Sequence, residues 1–499
     1  MTATLLLQIL LTPIGAAAFI FVTRKRLSHL AGWVAASSLL YASGLVLVAG
    51  AQVYAGRVIY EEYLIIAPDV RLGLLADGLS LPTLGVVILL CTALAFYSIR
   101  YVEHRVELLY HAESESVQRG YYARFFYLFP FFPVGFIGVI LSSNLVSLYF
   151  FLEVLTITLF FLMAYFGYVE RIRVAFISLS WGIIGALFFL AASVAVYVQL
   201  GSFEISQLAR MAGNPLVNLT IILFLIGLLM KLAIVPFHVW MPWVHAEHPT
   251  CIAGLLAVYA NLALYIIIRV LFIPLGGDLQ PFGGPLMVLA LVTMVYGSLL
   301  TMAQTDIKRL AACSTISQIA YSVLGLGALT VVSVEGGMFF FLSHIMGKTI
   351  FFSTAGIVVY TTGIRDMREM GGLARKMPVT ATLWLIGCMM LSGFPPFSSF
   401  TAEWLMFTGI FERGVLDGGF DLLIAIGGVV AILLTVAYSF GAARQIFFGP
   451  LSPALESKDV SDPRWTMTVP LLVVAAVSVL LGMYPRLVMD LFHAVIASS

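Results

Sequence analysis

The chain has 499 residues, of which 61% are hydrophobic and 10% are charged, and its formal net charge is +1. Soluble domains contain about 25% charged residues, so this composition excludes an ordinary soluble enzyme. The balanced charge also excludes a disordered protein or a strongly nucleic-acid-binding one. A membrane-crossing helix needs roughly 20 apolar residues, and the length therefore fits one polytopic membrane domain over residues 1–499.

The apolar runs predict an all-α membrane protein with about fourteen transmembrane helices. The first run is followed by Arg24, Lys25 and Arg26, which is the order of an anchored helix rather than of a cleaved signal peptide. In chain order the predicted helices lie roughly at 3–22, 30–54, 78–100, 124–142, 145–168, 173–200, 216–246, 251–275, 284–304, 309–332, 336–362, 379–411, 420–447 and 466–495.

Two of these helices are predicted to be broken. The seventh contains Pro236 and Pro242, and the twelfth contains Pro395 and Pro396; proline removes a backbone donor and clashes with the preceding turn. Paired broken helices indicate two inverted repeats with an ion site between them. We assign helices four to eight (124–275) and nine to thirteen (284–447) to these repeats, with helices one to three and a solvated polar loop (Tyr101–Ala123) before them and the last helix (466–495) after them.

The distribution of Lys and Arg predicts the orientation. With the N-terminus outside, 18 of these residues fall in loops on the inner side and six in loops on the outer side, a bias that agrees with the positive-inside rule. Both termini are therefore predicted on the outer side of a prokaryotic cell membrane.

No cofactor or metal is expected. The four cysteines (Cys91, Cys251, Cys313 and Cys388) are scattered and form no CxxC, so neither a disulfide framework, a zinc site nor an Fe–S cluster is predicted. A P-loop is also missing from the sequence. The chain should contain no catalytic redox centre, and its driving force should come from an ion gradient or from partner subunits.

Four charged residues lie well inside the predicted helices: Glu153, Lys231, Lys348 and Glu403. Each costs about 2.5–3.5 kcal/mol at a helix centre, which indicates pairing, hydration or function. We interpret Glu153 and Lys231 as a buried pair in which the lysine is a proton switch. The alternative is a static ion pair that holds two helices together.

The other two charges belong to the second repeat. His344 and Lys348 are four residues apart on one helix face and could relay protons; alternatively, the histidine is a hydrogen-bonded interior residue and the lysine snorkels to the surface. Glu403 follows the double proline and could be an exit group, or it could cap freed backbone donors.

Further polar residues are candidates for a supporting path. His238, His245 and His248 lie around the break of helix seven, where we expect them to cap the cytoplasmic mouth rather than bind metal. Ser317 and Gln318 could order water between the charged groups, although ordinary interhelical hydrogen bonds explain them equally well.

Taken together, these motifs resemble the antiporter-like proton-pumping subunits of the respiratory complex I superfamily. That superfamily includes M-type subunits of NADH or reduced-deazaflavin quinone oxidoreductases, membrane-bound hydrogenase subunits and Mrp antiporter subunits. The resemblance implies that Glu153, Lys231, Lys348 and Glu403 form the translocation path. It is carried by residues 76–82, 150–168, 236–250, 305–321, 343–352, 364–378 and 393–404.

The sequence departs from this family at two positions. Members usually carry a lysine or histidine in helix eight, where this chain offers Tyr259 and Asn261. The helix-ten motif often ends in histidine, where this chain has Gln318. The link between the two half-channels could therefore run through water held by these groups, or it could be weakened.

The resemblance implies a proton-translocating membrane-arm subunit of a complex-I-like, redox-driven ion pump, which is a quinone oxidoreductase or a related assembly. Its partners would be other membrane-arm subunits, including antiporter-like and quinone-site subunits, and it would contact lipid and protons or sodium ions. Two alternatives remain: a subunit of an Mrp-type sodium/proton antiporter or of a membrane-bound hydrogenase, and an inactive structural spacer.

Overall fold

The computed structural model describes residues 4–67, 70–456 and 458–497. The chain is a bundle of helices with one β-hairpin near the N-terminal end. The helices are α1 (Leu5–Thr23), α2 (Ala31–Tyr54), α3 (Ser80–Leu109), α4 (Glu115–Leu128), α5 (Phe131–Leu141), α6 (Leu145–Phe166), α7 (Arg171–Leu200), α8 (Val217–Lys231), α9 (Met241–Glu247), α10 (Thr250–Ile267), α11 (Ile273–Met302), α12 (Ile307–Gly327), α13 (Val331–Thr362), α14 (Pro378–Leu391), α15 (Ser398–Asp417), α16 (Gly419–Phe447), α17 (Pro453–Glu456), α18 (Trp465–Met483) and α19 (Arg486–Ile496).

The helical membrane fold predicted from the apolar runs is confirmed. Eleven helical stretches within the described residues are long and apolar enough to cross a membrane. One of them, Thr250–Met302, has 53 residues and would be about 80 Å long if straight, more than twice the thickness of the hydrocarbon core. It passes through a π-turn at Ile268–Phe272 and a kink at Leu275, where the sequence predicts a boundary between two helices. The total of fourteen crossings stays a prediction.

Both predicted helix breaks are present. The first lies between α8 and α9, and the second between α14 and α15. Ala233 (φ 53°) and Gly393 (φ 65°) adopt left-handed backbone conformations in them. Polar side chains satisfy backbone groups that the first break frees: Trp240 Nε1 donates to the Met230 carbonyl (3.1 Å), and Thr293 Oγ1 accepts from the Val235 amide (3.1 Å). The division into two inverted repeats stays a prediction.

A β-hairpin between α2 and α3 was not expected from the all-α reading. Strands β1 (Ile59–Ala67) and β2 (Val70–Ala76) pair antiparallel, with Ile59 opposite Ala76. The search for long apolar runs missed it because each strand is shorter than a membrane-crossing helix. The hairpin has a capping role, since the Glu61 carboxylate accepts from the Leu6 and Leu7 amides (both 3.0 Å) at the start of α1.

The segment Tyr101–Ala123, expected to be a solvated loop, is mostly helical. The helix α3 continues to Leu109 and α4 begins at Glu115. Charged residues are compatible with a helix that extends beyond the membrane, where they form pairs one turn apart. Arg100 contacts Glu103 (2.6 Å) and Arg119 contacts Glu115 (2.5 Å). The interpretation failed here because it equated polar composition with loop structure.

The centre of the bundle is formed by α10, α12 and α13, in which nearly every described side chain is buried. By contrast, α2, α7 and α16 expose wide apolar faces, as expected for helices against lipid or a neighbouring subunit. Polar residues on α10, α12 and α13 are therefore shielded from the surface by the other helices. Most of the predicted translocation residues lie on these three helices or pack against them.

Candidate functional site

The first half of the candidate path is centred on Lys231 at the end of α8. Its side chain is buried, and Nζ donates to the Tyr259 hydroxyl of α10 (3.3 Å). That hydroxyl in turn lies 3.3 Å from Thr156 Oγ1 of α6. The helix break explains the position of the lysine, since α8 ends at Lys231 and its side chain meets the middle of α10. The three residues form a continuous polar chain across three helices.

Glu153 is not in direct ion-pair contact with Lys231, which corrects the predicted buried pair. It lies one turn before Thr156 on α6 and is half-buried, and its Oε1 has no hydrogen-bond partner among the described residues. The lysine instead uses the phenol of Tyr259. Sequence reasoning paired the opposite charges because nothing in the sequence shows that a tyrosine from α10 occupies the closer position.

A small cavity adjoins Lys231 and Tyr259. Its volume is about 10 Å³, and Ser178, Trp181 and Trp240 contribute to its walls. A volume of this order is at the lower limit for one water molecule, and its polar lining offers the partners that such a water needs. The space beside the lysine is therefore no larger than a single water molecule.

Replacement of Tyr259 by phenylalanine is expected to lower proton translocation several-fold while assembly and stability stay normal. The substitution removes the hydroxyl between Lys231 and Thr156 but keeps the ring. Proton movement in vesicles, normalised to the amount of assembled protein, measures the effect. Tyr97→Phe is the matched control, because it removes another buried hydroxyl, which donates to the Ser353 carbonyl (2.9 Å). Equal losses in both variants would contradict a specific role for Tyr259.

The second half of the candidate path is centred on His344 and Lys348 of α13. His344 Nδ1 contacts Asn261 Oδ1 of α10 (3.2 Å), and Asn261 Nδ2 donates to the Ala257 carbonyl (2.7 Å). Because the amide oxygen only accepts, Nδ1 carries the proton in this arrangement. His344 Nε2 has no hydrogen-bond partner in the described part of the chain. The histidine is thus held through one nitrogen, and the other is available to a water or to a moving proton.

The helix α10 contacts both halves of the candidate path, through two residues on opposite sides of the helix. Tyr259 faces Lys231 and Asn261 faces His344, and positions two apart on a helix point about 200° from each other. These are the two residues that stand where the family resemblance leads us to expect a lysine or histidine. The structure places both in hydrogen-bond contact with residues of the candidate path.

Lys348 lies one helical turn after His344 and is completely buried. Its Nζ donates to the Ala311 carbonyl (3.2 Å) and to Ser314 Oγ, both on α12. The predicted alternative in which this lysine snorkels to the surface is therefore wrong. Within the described residues no carboxylate forms an ion pair with it, so neutral oxygens supply its hydrogen bonds.

Ser317 and Gln318 on α12 make interhelical hydrogen bonds. Ser317 Oγ contacts Ser298 Oγ of α11 (2.7 Å), and Gln318 Nε2 donates to the hydroxyls of Thr435 (3.0 Å) and Tyr438 (3.3 Å) on α16. Gln318 Oε1 is buried without a partner in the described residues. These contacts support the alternative of ordinary helix–helix bonds and leave one acceptor oxygen free for water.

Glu403 lies on α15 just after the second break and is buried. Its Oε1 has no hydrogen-bond partner among the described residues, so no contact in the structure supports a role in capping backbone donors. The carboxylate lines a cavity of about 560 Å³ whose walls include Phe400, Trp404 and Phe411. It therefore sits at the inner end of an apolar groove.

Gly393 provides the space for the Glu403 carboxylate. A Cβ at position 393 would collide with that carboxylate, and the backbone there has φ 65°. Gly393→Ala is therefore expected to displace Glu403 and to destabilise the protein by about 1–3 kcal/mol. Thermal unfolding of the purified protein and proton movement in vesicles measure the two effects.

Gly441→Ala is the control for this substitution, because position 441 in α16 has open space around its Cβ and alanine favours a helix. We expect this variant to be at least as stable as the wild type. If Gly393→Ala has wild-type stability and activity, the position of the Glu403 carboxylate does not depend on the space at Gly393.

Two of the three histidines predicted at a cytoplasmic mouth are not at the surface. His245 and His248 are completely buried, and neither ring has a hydrogen-bond partner in the described residues. His245 lies instead against Phe352 of α13, with ring centroids 5.7 Å apart. Only His238 is partly exposed, and its ring packs against Tyr296 (4.8 Å). The prediction placed them at the mouth because they stand at the end of predicted helix seven (216–246), and the sequence does not show that other helices cover this end.

The sequence reasoning missed other buried ionisable groups. Lys308, assigned to a loop, is completely buried; its Nζ donates to the His248 carbonyl (2.7 Å) and lies 3.4 Å from the centroid of the Tyr168 ring. Arg269, counted among the six outer loop residues although it falls inside the predicted helix 251–275, forms a buried ion pair with Asp77 (2.6 Å). Both lie near the ends of apolar runs, where run length alone does not distinguish a buried charge from an exposed one.

The chain is similar in sequence to membrane subunits of quinone oxidoreductases. The sequence profile of the family described as NADH:quinone oxidoreductase/Mrp antiporter, TM matches residues 142–435. NADH-quinone oxidoreductase subunit M of Rickettsia prowazekii is 27% identical over 361 residues, which cover 72% of each chain. NAD(P)H-quinone oxidoreductase chain 4 of Gloeobacter violaceus is 30% identical over 368 residues, or 72% of this chain and 69% of that protein.

The fold is also found in a solved assembly. A chain in the structure of the Mrp complex from Dietzia sp. DQ12-45-1b superposes with a TM-score of 0.85 at 20% identity, covering 99% of this chain and 97% of that one. The matched profile extends from the start of α6 into α16 and so includes Glu153, Lys231, Lys348 and Glu403. The chain therefore belongs to the NADH:quinone oxidoreductase/Mrp antiporter family of transmembrane subunits.

Proposed function

We propose that this chain translocates protons in the membrane arm of a redox-driven quinone oxidoreductase. The observation that carries the proposal is the buried row of Lys231, Tyr259, Asn261, His344 and Lys348, which crosses the centre of the bundle through α10. Buried ionisable groups in a membrane protein are costly and usually mark an ion path. The curated relatives described above are subunits of quinone oxidoreductases, which supports the redox-driven reading.

In this proposal Lys231 receives a proton from the cytoplasmic side and passes charge toward His344 and Lys348. Tyr259 and Asn261 lie on opposite sides of α10, and no hydrogen bond joins them among the described residues. The proposal therefore requires water molecules that connect the two sides of this helix. Release follows near Glu403, which lines the apolar groove. In this proposal the redox chemistry takes place on partner subunits.

Copurification and vesicle transport test the driving force. We expect the tagged chain to copurify with quinone-site and Fe–S subunits, and membrane vesicles to take up protons when a quinone reductant is added. Copurification with small membrane subunits alone, together with proton movement driven by sodium without any electron donor, would replace the proposal with the Mrp-type antiporter. That alternative is supported by the fold match to the Mrp complex.

The structural-spacer alternative is tested by a double variant. Glu153→Gln combined with Lys231→Met removes both ionisable groups of the first half. Retained assembly with an unchanged number of protons pumped per electron pair would establish the chain as a spacer. We expect assembly to be retained and pumping to fall.

The proposal includes an orientation in a prokaryotic cell membrane with both termini outside, supported by the bias of Lys and Arg among the loops. A C-terminal alkaline phosphatase fusion should be active in intact cells, since that enzyme folds only outside the reducing cytoplasm. An inactive phosphatase fusion with a fluorescent cytoplasmic reporter at the same position would reverse the orientation.

A further inference from the structure

A basic cavity lies where α1 leaves the membrane and meets α4. Its volume is about 650 Å³, and five cationic side chains contribute to its lining, within the size range of small-molecule sites. The five are Arg24, Lys25, Arg26, Arg119 and Arg124. Glu115 is the one carboxylate residue among the described residues that line it. The cavity therefore carries a strong local excess of positive charge, although the whole chain has a net charge of +1.

Most of these cations have no carboxylate partner. Glu115 pairs with Arg119 (2.5 Å), and no ion pair involves the other four in the described part of the chain. Arg24 donates to the Phe21 carbonyl (2.9 Å) and lies over the Phe21 ring at 4.0 Å. Arg124 lies between the rings of Tyr121 (4.9 Å) and Tyr165 (4.8 Å). Aromatic faces and a backbone carbonyl thus hold two of the guanidinium groups in place, while leaving their charges unneutralised.

A neighbouring cavity shows that this charge excess is local. The adjacent cavity of about 570 Å³ includes three arginines and three glutamates in its lining, so its charges balance internally. It shares Glu115 and Arg119 with the basic cavity. The two sites differ because the basic cavity also includes the end of α1, where three cationic residues follow one another.

The surface beside the basic cavity is apolar. Phe19, Phe21 and Val22, in the last turns of α1, are 50%, 49% and 79% exposed. The Phe21 ring packs edge-on against Tyr127 of α4, with centroids 5.4 Å apart, so the wall between the two helices is built of aromatic side chains. An anion at this position would have its charge among the cations and an apolar helix face next to it.

We propose that this cavity binds the phosphate headgroup of an anionic phospholipid. Basic pockets between transmembrane helices at the membrane surface are suited to such headgroups, and arginine presents several donors to a phosphate. The adjoining apolar face of α1 accommodates acyl chains, which a free phosphate lacks and which an acidic protein segment does not offer. The proposal does not depend on the proton path, because none of its residues lies in that path.

Native mass spectrometry of the purified full-length chain, with any subunits that remain bound, tests the site. The probes are phosphatidylglycerol, phosphatidylcholine and inorganic phosphate. We expect phosphatidylglycerol to bind more tightly than phosphatidylcholine, and millimolar phosphate not to displace it. In K25Q/R26Q/R124Q the dissociation constant for phosphatidylglycerol should rise about 100-fold, since each cation contributes about fivefold.

Two control variants separate this site from general charge effects. R57Q/R210Q/R486Q removes the same number of charges at positions outside the cavity and should change affinity by less than about twofold. R26K/R124K keeps the charges and should keep most of the binding. Unchanged phosphatidylglycerol affinity in K25Q/R26Q/R124Q, or equal binding of phosphatidylcholine, would overturn the proposal. Displacement by inorganic phosphate would identify a free-anion site instead, and loss of a copurifying subunit with unchanged lipid binding would identify a protein contact.

Discussion

Lys231→Met is expected to reduce proton translocation by a factor on the order of 100, the loss that is typical when a positioned proton-transfer group is removed. Methionine keeps the length of the side chain but cannot carry a proton, so the Tyr259 hydroxyl loses the ammonium at 3.3 Å. The rate of proton uptake by vesicles that contain the assembled protein measures the effect. Assembly should be unchanged, because an apolar side chain is tolerated in this buried position.

Arg57→Met is the control for this experiment. Arg57 is exposed between α2 and β1 and belongs neither to the candidate proton path nor to the basic cavity, so its loss should leave translocation at the wild-type rate. Wild-type pumping in Lys231→Met, at equal protein content, would rule out the proposed route and leave the first half of the chain without an assigned role.

Arg269→Met is expected to destabilise the protein by about 3–5 kcal/mol, because it leaves a buried carboxylate without its counter-charge. Arg269 contacts both oxygens of Asp77 (2.6 and 2.7 Å) and the Tyr265 hydroxyl (3.3 Å). This pair connects the π-turn after α10 to the start of α3. Equilibrium unfolding of the purified protein in detergent, or the loss of folded protein on heating, measures the change.

A double variant tests whether stability can be restored, and an exposed ion pair serves as the control. Asp77→Asn combined with Arg269→Met should recover most of the lost stability, since the asparagine oxygen can still accept from the Leu79 and Ser80 amides that now bind Asp77 (3.0 and 2.9 Å). Arg71→Met breaks the exposed pair with Glu62 (3.2 Å) and should cost less than about 1 kcal/mol. If Arg269→Met lowers the stability of the protein only slightly, water must reach the Asp77 carboxylate.

The sequence predicted the membrane class and the broken helices because both depend on local composition. A run of about 20 apolar residues spans the bilayer wherever it stands in the chain. Prolines at 236 and 396 end a helix through sterics that act within one turn. The strands Ile59–Ala67 and Val70–Ala76 and the helical ends of α3 and α4 were missed, because strands and polar helices leave no long apolar run to detect.

The candidate path was predicted only as a set of residues. A lysine or glutamate inside an apolar run is conspicuous in the sequence because burying its charge is costly, and this cost identified Glu153, Lys231, Lys348 and Glu403. Lys308 and Arg269 were not recognised as buried charges, because each stands near the end of an apolar run. A charge at such a position can be either solvated or buried.

The sequence by itself determined that the chain is a helical membrane protein, where two of its helices break and which intramembrane charges need an explanation. The tertiary structure alone decided their partners. Lys231 contacts Tyr259 rather than Glu153, and Lys348 binds neutral oxygens of α12. Apolarity and proline act through neighbouring residues and so can be read from a linear sequence. A hydrogen bond between side chains 28 or 83 residues apart depends on how whole helices pack, which no local pattern encodes.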